Sequence, residues 1–269
     1  MTIPRLSRCG PRAVLCVALL GAGFGSADAL ADLLDDIVEK GSVRIAVPND
    51  FPPFGAAIGD GQLEGYDIEV AKLLAEDLGV RFDPVVAKSV NRIPLLLSHE
   101  ADLVISCLGI SPARARGIAF SSPYGPFFSG VYGPPEVAVA GPEDLAGKRV
   151  AVTRDTIEDA ELGDLATQGM ELVRFDDNAQ TFSAYLSGEA DLLATGNTAI
   201  TSLLRQDPQR AIESKFVLRQ SPCSIGVRHG EPRLLHWVNV FILDKKLGGE
   251  LDRLSRQWLG EPLQELPSL

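Results

Sequence analysis

Histidine is scarce in this chain of 269 residues, and motifs typical of the common enzyme classes are missing. The three histidines, His99, His229 and His236, are scattered and do not have the spacing of metal ligands. The chain has no Gly-x-Ser-x-Gly elbow, no phosphate-binding glycine loop and no cysteine–histidine pair in a triad-like context. We therefore expect no metal site, no cofactor and no enzymatic activity.

Long apolar runs are also absent, so no segment is predicted to cross a membrane. An apolar run at residues 13–20 is too short for this. It follows three arginines and precedes the small-residue stretch "ADALAD", an order typical of a secretory signal peptide. We predict that residues 1–31 are a signal peptide and that a soluble exported protein starts near Asp32. The alternative is an anchor helix that is not cleaved.

Positive charge is in short supply as well. The chain has 25 lysines and arginines against 36 aspartates and glutamates, a formal charge of −11. Loss of Arg5, Arg8, Arg12 and Asp28 with the signal peptide changes this charge to −13. Such an excess of negative charge argues against nucleic acid or an anionic membrane surface as partner. A few arginines inside a cleft can still bind a small anion.

Only four cysteines are present, and two of them, Cys9 and Cys16, lie in the predicted signal peptide. The remaining pair is Cys107 and Cys223. An even number of cysteines in an oxidising compartment permits one disulfide. Two buried thiols are the alternative.

Two sequence patterns occur twice. "RIAVPND" at 44–50 is similar to "RVAVTRD" at 149–155, and "LSHEADLV" at 97–104 is similar to "LSGEADLL" at 186–193. Each half therefore has a β-branched strand that ends in a polar turn, and later a helix followed by another apolar strand. Strands that alternate with helices predict an α/β fold. We expect two lobes, each a mainly parallel sheet flanked by helices.

The chain is predicted to pass twice between these lobes. A segment rich in Pro, Gly and aromatic residues, 120–135, lies between the repeats, and "SIGVR" at 224–228 is typical of a strand that returns to the first lobe. We assign residues 32–128 and 222–269 to lobe 1 and residues 129–221 to lobe 2. The two crossings form a hinge, and the space between the lobes forms a cleft.

Polar residues end the predicted strands, in the stretches "PND", "SCLGIS", "TRD" and "TGN". Ligands of open parallel sheets bind beyond the carboxyl ends of the strands, so these stretches predict a site for a polar ligand. In lobe 1, the intervening helix is expected to begin at an Asp67 cap and to end at Gly79.

In their order and spacing, several motifs resemble the family 3 solute-binding proteins, the periplasmic receptors of polar amino-acid ABC transporters. The resemblance covers the chain after the signal peptide, from "VRIAVPNDFPPFG" and "LEGYDIEVAKLLAEDLGV" through "ADLVISCLGISPARARGIAFSSPY" and "DLAGKRVAV" to "YLSGEADLLATGN" and "LSRQWLG". It implies a two-lobed fold that closes around its ligand by hinge motion. It also implies a monomer in the periplasm that delivers a small molecule to an ABC permease in the inner membrane.

Two arginines acquire roles from this resemblance. "NRIPLL" at 91–96 is similar to the glutamate- and aspartate-binding branch, in which the arginine matching Arg92 contacts the side-chain carboxylate of the ligand. Arg114 matches the arginine that clamps the α-carboxylate across the family. A guanidinium offers a carboxylate two parallel donors, which lysine does not. The alternative for each arginine is an ordinary surface residue.

Four other positions complete the implied site. Ser106 and the backbone N–H of Gly109 join the anion site, Phe51 packs over the ligand, and Thr156 reaches the carboxylate from lobe 2 at a helix N-terminus. The alternative for Phe51 is ordinary packing, and for Thr156 it is a simple helix N-cap.

The chain departs from the family where an α-amino group is usually held. Gly196 replaces an acid, and Pro48 stands where many receptors of basic amino acids have another. Recognition of an ammonium group is then left to Asn197, carbonyl groups, water or an acid that the sequence does not place, with Asp155 as one candidate. Arg154 replaces the usual glycine of its loop, and Ser89 stands near a frequent aromatic position.

With three arginines assigned to the cleft, positive charge outweighs the negative charge that the sequence identifies there. We therefore expect a small carboxylate-bearing solute, a polar or acidic amino acid, and the charge favours an acidic amino acid or a related dicarboxylate over lysine, arginine or histidine. The alternative function from another class is a periplasmic dehydratase on the same fold, with Glu158 and Asp159 as its candidate carboxylates. A third is a dicarboxylate receptor that feeds a membrane sensor.

Overall fold

The computed structural model describes residues 32–165, 169–206, 209 and 211–267, together with Thr2. Apart from Thr2, the predicted signal peptide lies outside this part of the chain. The helices are α1 Leu33–Lys40, α2 Tyr66–Leu78, α3 Arg92–Leu97, α4 Pro112–Ala115, α5 Ile157–Leu165, α6 Asn178–Ser187, α7 Asn197–Gln206, α8 Pro232–Gly248 and α9 Glu250–Leu254. A 3₁₀ turn covers Pro142–Leu145, and a π-helical turn covers Ser255–Leu259.

The strands are β1 Ser42–Pro48, β2 Asp50–Phe51, β3 Gly55–Ile58, β4 Gln62–Glu64, β5 Arg81–Ala87, β6 Leu103–Leu108, β7 Ile118–Gly125, β8 Phe128–Gly133, β9 Arg149–Thr153, β10 Glu171–Phe175, β11 Leu192–Gly196, β12 Glu213–Gln220 and β13 Cys223–Arg228. Among the described residues, no helix has the length and apolar character needed to cross a membrane.

Two sheets of the same design form the two lobes. The first has the strand order β5-β1-β6-β13-β7 and the second β10-β9-β11-β8-β12, while β2, β3 and β4 form a small separate sheet. In both large sheets, the first three strands are parallel and the last two pairings are antiparallel. The predicted α/β class and the two lobes are confirmed, with sheets that are mixed rather than mainly parallel.

The sequence repeat corresponds to the same arginine–aspartate ion pair in both large sheets. At the start of β1, Arg44 pairs with Asp102 (Nη2 to Oδ1, 2.6 Å), whose other oxygen accepts the Arg44 backbone N–H at 2.9 Å. At the start of β9, Arg149 pairs with Asp191 in the same way, at 2.8 and 2.9 Å. Each pair fastens the amino ends of two neighbouring parallel strands, which leaves their carboxyl ends free to build a site.

The chain changes sheet at two points. Pro126 and Phe127 join β7 of the first sheet to β8 of the second, and Ser221 and Pro222 join β12 of the second sheet to β13 of the first. The lobe boundaries at 128/129 and 221/222 stay a prediction. Next to the second crossing, Cys107 and Cys223 form a disulfide that links β6 to β13.

The first lobe is organised around two buried tyrosines. The rings of Tyr66 and Tyr124 stack with their centroids 5.9 Å apart, and the Tyr66 hydroxyl donates to the Tyr124 carbonyl at 2.7 Å. The Tyr124 hydroxyl donates to Asp67 Oδ1 at 2.6 Å and accepts the Cys107 backbone N–H at 3.1 Å. This network joins α2 and β7 to the strand β6, which ends at the cleft.

Asp67 is not the cap of α2. The helix begins at Tyr66, and its N-cap is Gly65 at φ 139°. A Cβ at Gly65 would lie 2.2 Å from the carbonyl oxygen of Phe54, so only glycine fits there. Asp67 lies one position inside the helix and is fully buried. The predicted end of the helix is confirmed, because Gly79 is a left-handed C-cap at φ 68°.

We predict a pH-dependent effect of replacing Asp67. Burial raises the pKa of its carboxyl from 3.8 to about 7, against the lowering effects of the Tyr124 hydrogen bond and the Arg92 charge. Since the folded state holds this proton more tightly than the unfolded state, the carboxyl costs stability increasingly as the pH rises from about 4 to about 7. Asp67→Asn should therefore gain about 2 kcal/mol in free energy of unfolding, relative to the unsubstituted protein, between pH 5 and pH 8.

Urea unfolding at the two pH values measures this difference. Asp60→Asn, in the exposed turn between β3 and β4, is the matched control and should show no such gain. A difference for Asp67→Asn that does not change with pH would contradict the assignment of a buried titrating carboxyl.

Candidate functional site

A cavity lies between the lobes where the carboxyl ends of the strands of both sheets meet. Its empty volume is about 530 Å³, including the part open to solvent. We call it the inner cavity. Its lining consists of strand ends, the loops that follow them and two helix N-termini: Pro48, Asp50, Phe51, Ala87, Ser89, Arg92, Ser106, Cys107, Gly109, Phe127, Thr153, Thr156, Ile157, Glu158, Asn178, Ala194 and Thr195.

Arg92 is a buried cation in the lining of the inner cavity, not a surface residue. It begins α3 and is only 7% exposed. Its Nη1 donates to the Ser106 carbonyl at 2.7 Å, whereas its Nε has no hydrogen-bond partner among the described residues. Burial, together with the nearby charge of Arg114, lowers the pKa of Arg92 to about 9, against the opposing effect of Glu158. A buried donor without a partner is a position where an acceptor is needed.

Arg114 bridges the two lobes beside the inner cavity and does not belong to its lining. Its Nη1 donates to the Gly109 carbonyl at 2.9 Å, and its Nη2 donates to the carbonyl of Asp155 in the other lobe. The guanidinium thus joins the loop after β6 to the loop after β9. It lines a second cavity next to the inner one. The expected clamp arginine is therefore placed as an interlobe bridge, while Ser106 and Gly109 line the inner cavity as expected.

Thr156 and Phe51 both line the inner cavity. Each also has the alternative role considered for it, a helix N-cap for Thr156 and aromatic packing for Phe51. Thr156 precedes α5 and accepts the Asp159 N–H at 3.2 Å, so it is an N-cap, and it also lines the inner cavity. Phe51 lines the cavity while its ring stacks on Phe54, with centroids 5.4 Å apart, and meets the edge of Phe127 at 6.3 Å.

Arg154 and Asn197, two other predicted ligand-binding residues, do not line the inner cavity. Side chains alternate in direction along a strand, and the residue before Arg154, Thr153, already lines the cavity. Arg154 pairs instead with Asp176 at 2.8 Å on the exposed side. Asn197 begins α7, and its Oδ1 accepts the Phe128 backbone N–H at 3.2 Å.

The lining also contains two carboxylates that the sequence analysis did not assign to the ligand site, and one of them, Glu158, was considered there only for the dehydratase alternative. Glu158 is 5% exposed, and its Oε1 has no hydrogen-bond partner among the described residues. Burial raises the pKa of its carboxyl, although Thr156 and the two nearby arginines lower it in part. Asp50 accepts the Asn178 backbone N–H at 3.0 Å, and burial raises its pKa as well. The inner cavity therefore contains acids as well as a guanidinium.

The missing acid at position 196 has a steric reason in this chain. A Cβ at Gly196 would lie 2.0 Å from Cε2 of Phe127, so the aromatic ring occupies the space that a side chain would need. Phe127 belongs to the first crossing between the lobes. The acid and this ring exclude each other, and an ammonium group must be held from elsewhere in the cavity.

Contacts across the cleft hold the two lobes together. Besides the Arg114 bridge, Lys88 of the first lobe pairs with Asp177 at the N-terminus of α6, at 2.7 Å. Asp50 accepts a backbone N–H of the same helix terminus, from Asn178. In the described arrangement, the two lobes therefore contact each other across the cleft, as in a closed form.

The comparison with known proteins supports a binding protein. The model of the bacterial extracellular solute-binding proteins, family 3, matches residues 43–261. The L-cystine-binding protein TcyJ of Escherichia coli K12 is 27% identical over 262 residues, 97% of this chain and 98% of that protein. Among solved structures, the solute receptor for L-cysteine of Neisseria gonorrhoeae has a TM-score of 0.78 at 29% identity and covers 84% of this chain and 93% of its own.

One enzyme is similar over a shorter stretch. The cyclohexadienyl dehydratase of Pseudomonas aeruginosa is 32% identical over 122 residues, which is 45% of this chain and 45% of the enzyme. Similarity over nearly the full length is to binding proteins, and the chain is one of them rather than an enzyme. Of the two candidate carboxylates, Glu158 lines the inner cavity, whereas Asp159 is paired with Arg174 outside it.

We predict that Gly196→Ala destabilises the protein by about 1–3 kcal/mol, because the added methyl group meets the Phe127 ring in a packed region. Gly163→Ala, inside α5, is the matched control. Its Cβ meets only the mobile end of Arg174, at 3.4 Å, and alanine favours a helix. Urea unfolding of both variants measures the effect, and equal stabilities would refute the steric role of Phe127.

We predict that Arg114→Ala weakens ligand binding at least tenfold without unfolding the protein, because it removes a charged bridge between the lobes from a position that is not core. Arg116→Ala, two positions along on the exposed surface, should leave affinity unchanged. Calorimetric titration with the ligand, combined with thermal unfolding, separates the two effects. Equal affinities of the two variants would show that the bridge does not support binding.

Proposed function

Because the chain belongs to the bacterial extracellular solute-binding proteins of family 3, we propose that it is the periplasmic receptor of an amino-acid ABC transporter. It captures its ligand between the lobes and, in the closed form, docks on the permease of the inner membrane. Residues 1–31 direct its export, and it works as a monomer. These assignments are supported by family membership and by the closed cleft with its polar lining.

We propose that the ligand is a zwitterionic amino acid, and one observation carries this proposal. The lining of the inner cavity contains both a buried donor without a partner, Arg92 Nε, and a buried acceptor without a partner, Glu158 Oε1, among the described residues. Leaving such a group unsatisfied costs about 1–3 kcal/mol. A molecule with a carboxylate and an ammonium group satisfies both at once.

The charge balance of the cavity favours a neutral amino acid over an acidic one. The expectation of an acidic ligand depended on arginines without opposing acids. Glu158 interacts with the charges of both Arg92 and Arg114, and Asp50 is a second carboxylate in the lining, so the arginines do have opposing acids. A dicarboxylate brings a second negative charge toward these carboxylates, which raises its electrostatic cost. The named ligands of the two relatives above, cystine and cysteine, have the same zwitterionic head.

Calorimetric titration of the mature protein tests this proposal. L-glutamine and L-cysteine are the neutral ligands, L-glutamate is the acidic one, and glutarate is glutamate without its amino group. We expect binding of at least one neutral amino acid, with glutarate at least a hundredfold weaker. Binding of glutarate and glutamate with equal affinity would instead make the protein a dicarboxylate receptor, and binding of none would leave another solute as cargo.

The Glu158→Gln variant tests the role assigned to the acid. It keeps the shape of the side chain and removes the charge that holds the ammonium group, so amino-acid affinity should fall about tenfold to a hundredfold. Asp164→Asn replaces an exposed carboxylate on the same helix and should have no effect. Since the pKa of Glu158 is raised, amino-acid affinity should also begin to fall at a higher pH than for an ordinary glutamate as the solution is acidified. A Glu158→Gln variant with full affinity would require another ammonium site.

A further inference from the structure

Strand β6 has a bulge where it reaches the inner cavity. Its partner β13 pairs with Val104 through Gly226 and with Leu108 through Ser224, so three residues of β6 face a single residue of β13. Cys107, inside the bulge, has a φ of 35°, in the left-handed region that residues other than glycine rarely adopt. Bulges beside a binding site redirect the groups of the strand. A backbone of this kind persists only where its surroundings hold it in place.

The peptide group between Ser106 and Cys107 is held from both sides. Its carbonyl oxygen accepts Arg92 Nη1 at 2.7 Å, and its N–H donates to the Tyr124 hydroxyl at 3.1 Å. That hydroxyl in turn donates to Asp67 Oδ1 at 2.6 Å. The hydrogen bonds therefore form one continuous chain from the guanidinium to the carboxylate, which we call the Arg92–Asp67 chain. Every bond donates in the same direction, the arrangement in which neighbouring hydrogen bonds strengthen one another.

The Arg92–Asp67 chain is shielded from water along its whole length. It begins in the wall of the inner cavity, which Arg92, Ser106 and Cys107 line, and ends in the core of the first lobe. These three residues are at most 7% exposed, and Tyr124 and Asp67 are fully buried. Because water does not reach the chain, it cannot replace a member that is removed, and the groups on either side are left without a partner.

Tyr66 offers a comparison that separates positioning from packing. Its ring stacks on that of Tyr124, and both side chains are fully buried in the same core. The Tyr66 hydroxyl donates to the Tyr124 carbonyl at 2.7 Å and is not a member of the Arg92–Asp67 chain. The two hydroxyls thus have similar surroundings and similar hydrogen bonds, but only that of Tyr124 is connected to the wall of the inner cavity.

We infer that Tyr124 and Asp67 are positioning residues for ligand binding, which hold the guanidinium of Arg92 in place through the peptide group between Ser106 and Cys107. Neither residue is in the lining of the inner cavity, so both act through Arg92 and not by contact with the ligand. This inference rests on the proposed function, because it takes the carboxylate of the ligand to meet Arg92. It adds that part of the affinity is determined in the core of the first lobe, behind the cavity wall.

Two phenylalanine variants of the mature protein test the inference by calorimetric titration. The titrant is L-glutamine or L-cysteine, whichever the unsubstituted protein binds more tightly. Tyr124→Phe removes the hydroxyl that joins Asp67 to the peptide group and should weaken binding by about tenfold or more. Tyr66→Phe removes the neighbouring hydroxyl and should leave the affinity unchanged, while thermal unfolding shows whether the two variants lose similar stability. Equal affinities of the two variants would overturn the inference.

Two variants of Asp67 with the same shape test the end of the chain. Asp67→Asn keeps an oxygen that accepts the Tyr124 hydroxyl and should bind the same amino acid almost as tightly as the unsubstituted protein. Asp67→Leu has no acceptor and should bind it about tenfold more weakly. Full affinity of Asp67→Leu would exclude Asp67 from the positioning role. An equal loss in both variants would overturn the hydrogen-bonded chain, because the charge of Asp67 would then determine the affinity.

A measurement without ligand separates this inference from the proposed function. Heteronuclear NMR detects the Nε–H groups of arginine side chains, and the signal of Arg92 is identified by its loss in Arg92→Lys. This buried group should exchange slowly with solvent in the unsubstituted protein and in Tyr66→Phe, and rapidly in Tyr124→Phe. The same slow exchange in all three proteins would overturn the positioning role. The expected difference, in a protein that binds no amino acid of the panel, would support the positioning of Arg92 and overturn the proposed ligand alone.

Discussion

The structure depends on keeping a guanidinium charged where water is scarce. Arg92 is buried between the core of the first lobe and the cleft. Its Nη1 donates a hydrogen bond to the backbone carbonyl of Ser106. Asp67 on its core side and Glu158 on its cleft side supply opposing charge. Glu158 belongs to the second lobe, so it reaches Arg92 only when the lobes close. Opening therefore separates two charges, and a zwitterion that bridges them adds its binding energy to closure.

Much of the fold could be predicted from the sequence because its signals are local. Each of these signals occupies only a few consecutive residues: the repeated strand motifs, the glycine that ends α2 and the polar residues at the strand ends. The mixed direction of the sheets could not be predicted in this way, because β13 comes from a distant part of the chain and enters the first sheet antiparallel to β6. Asp67 was misassigned for a similar reason. Its burial depends on Tyr124, which lies 57 residues further along the chain.

The candidate site was predictable only where strand ends determine it. Arg92, Ser106, Gly109, Phe51 and Thr156 line the inner cavity because they lie on or just beyond the strands that build it. Glu158 was considered only as a catalytic candidate and not as part of the ligand site, because an acid in the first turn of a helix usually has the simple role of favouring the helix dipole. Only the packing of one lobe against the other distinguishes it from Asp159, which pairs with Arg174 instead. Interlobe geometry is a property of two distant segments and leaves no local pattern.

Phe127 shows that hinge and pocket are not independent parts of this molecule. The residue lies on the first crossing, where the backbone must turn when the lobes move. Its ring also lines the inner cavity, packs against Phe51 and Phe54 of the first lobe, and excludes any side chain at Gly196 of the second. A change that reshapes the cavity around this ring therefore also alters the balance between open and closed states. Ligand preference and the rate of capture and release are then constrained together, and selection on one of them moves the other.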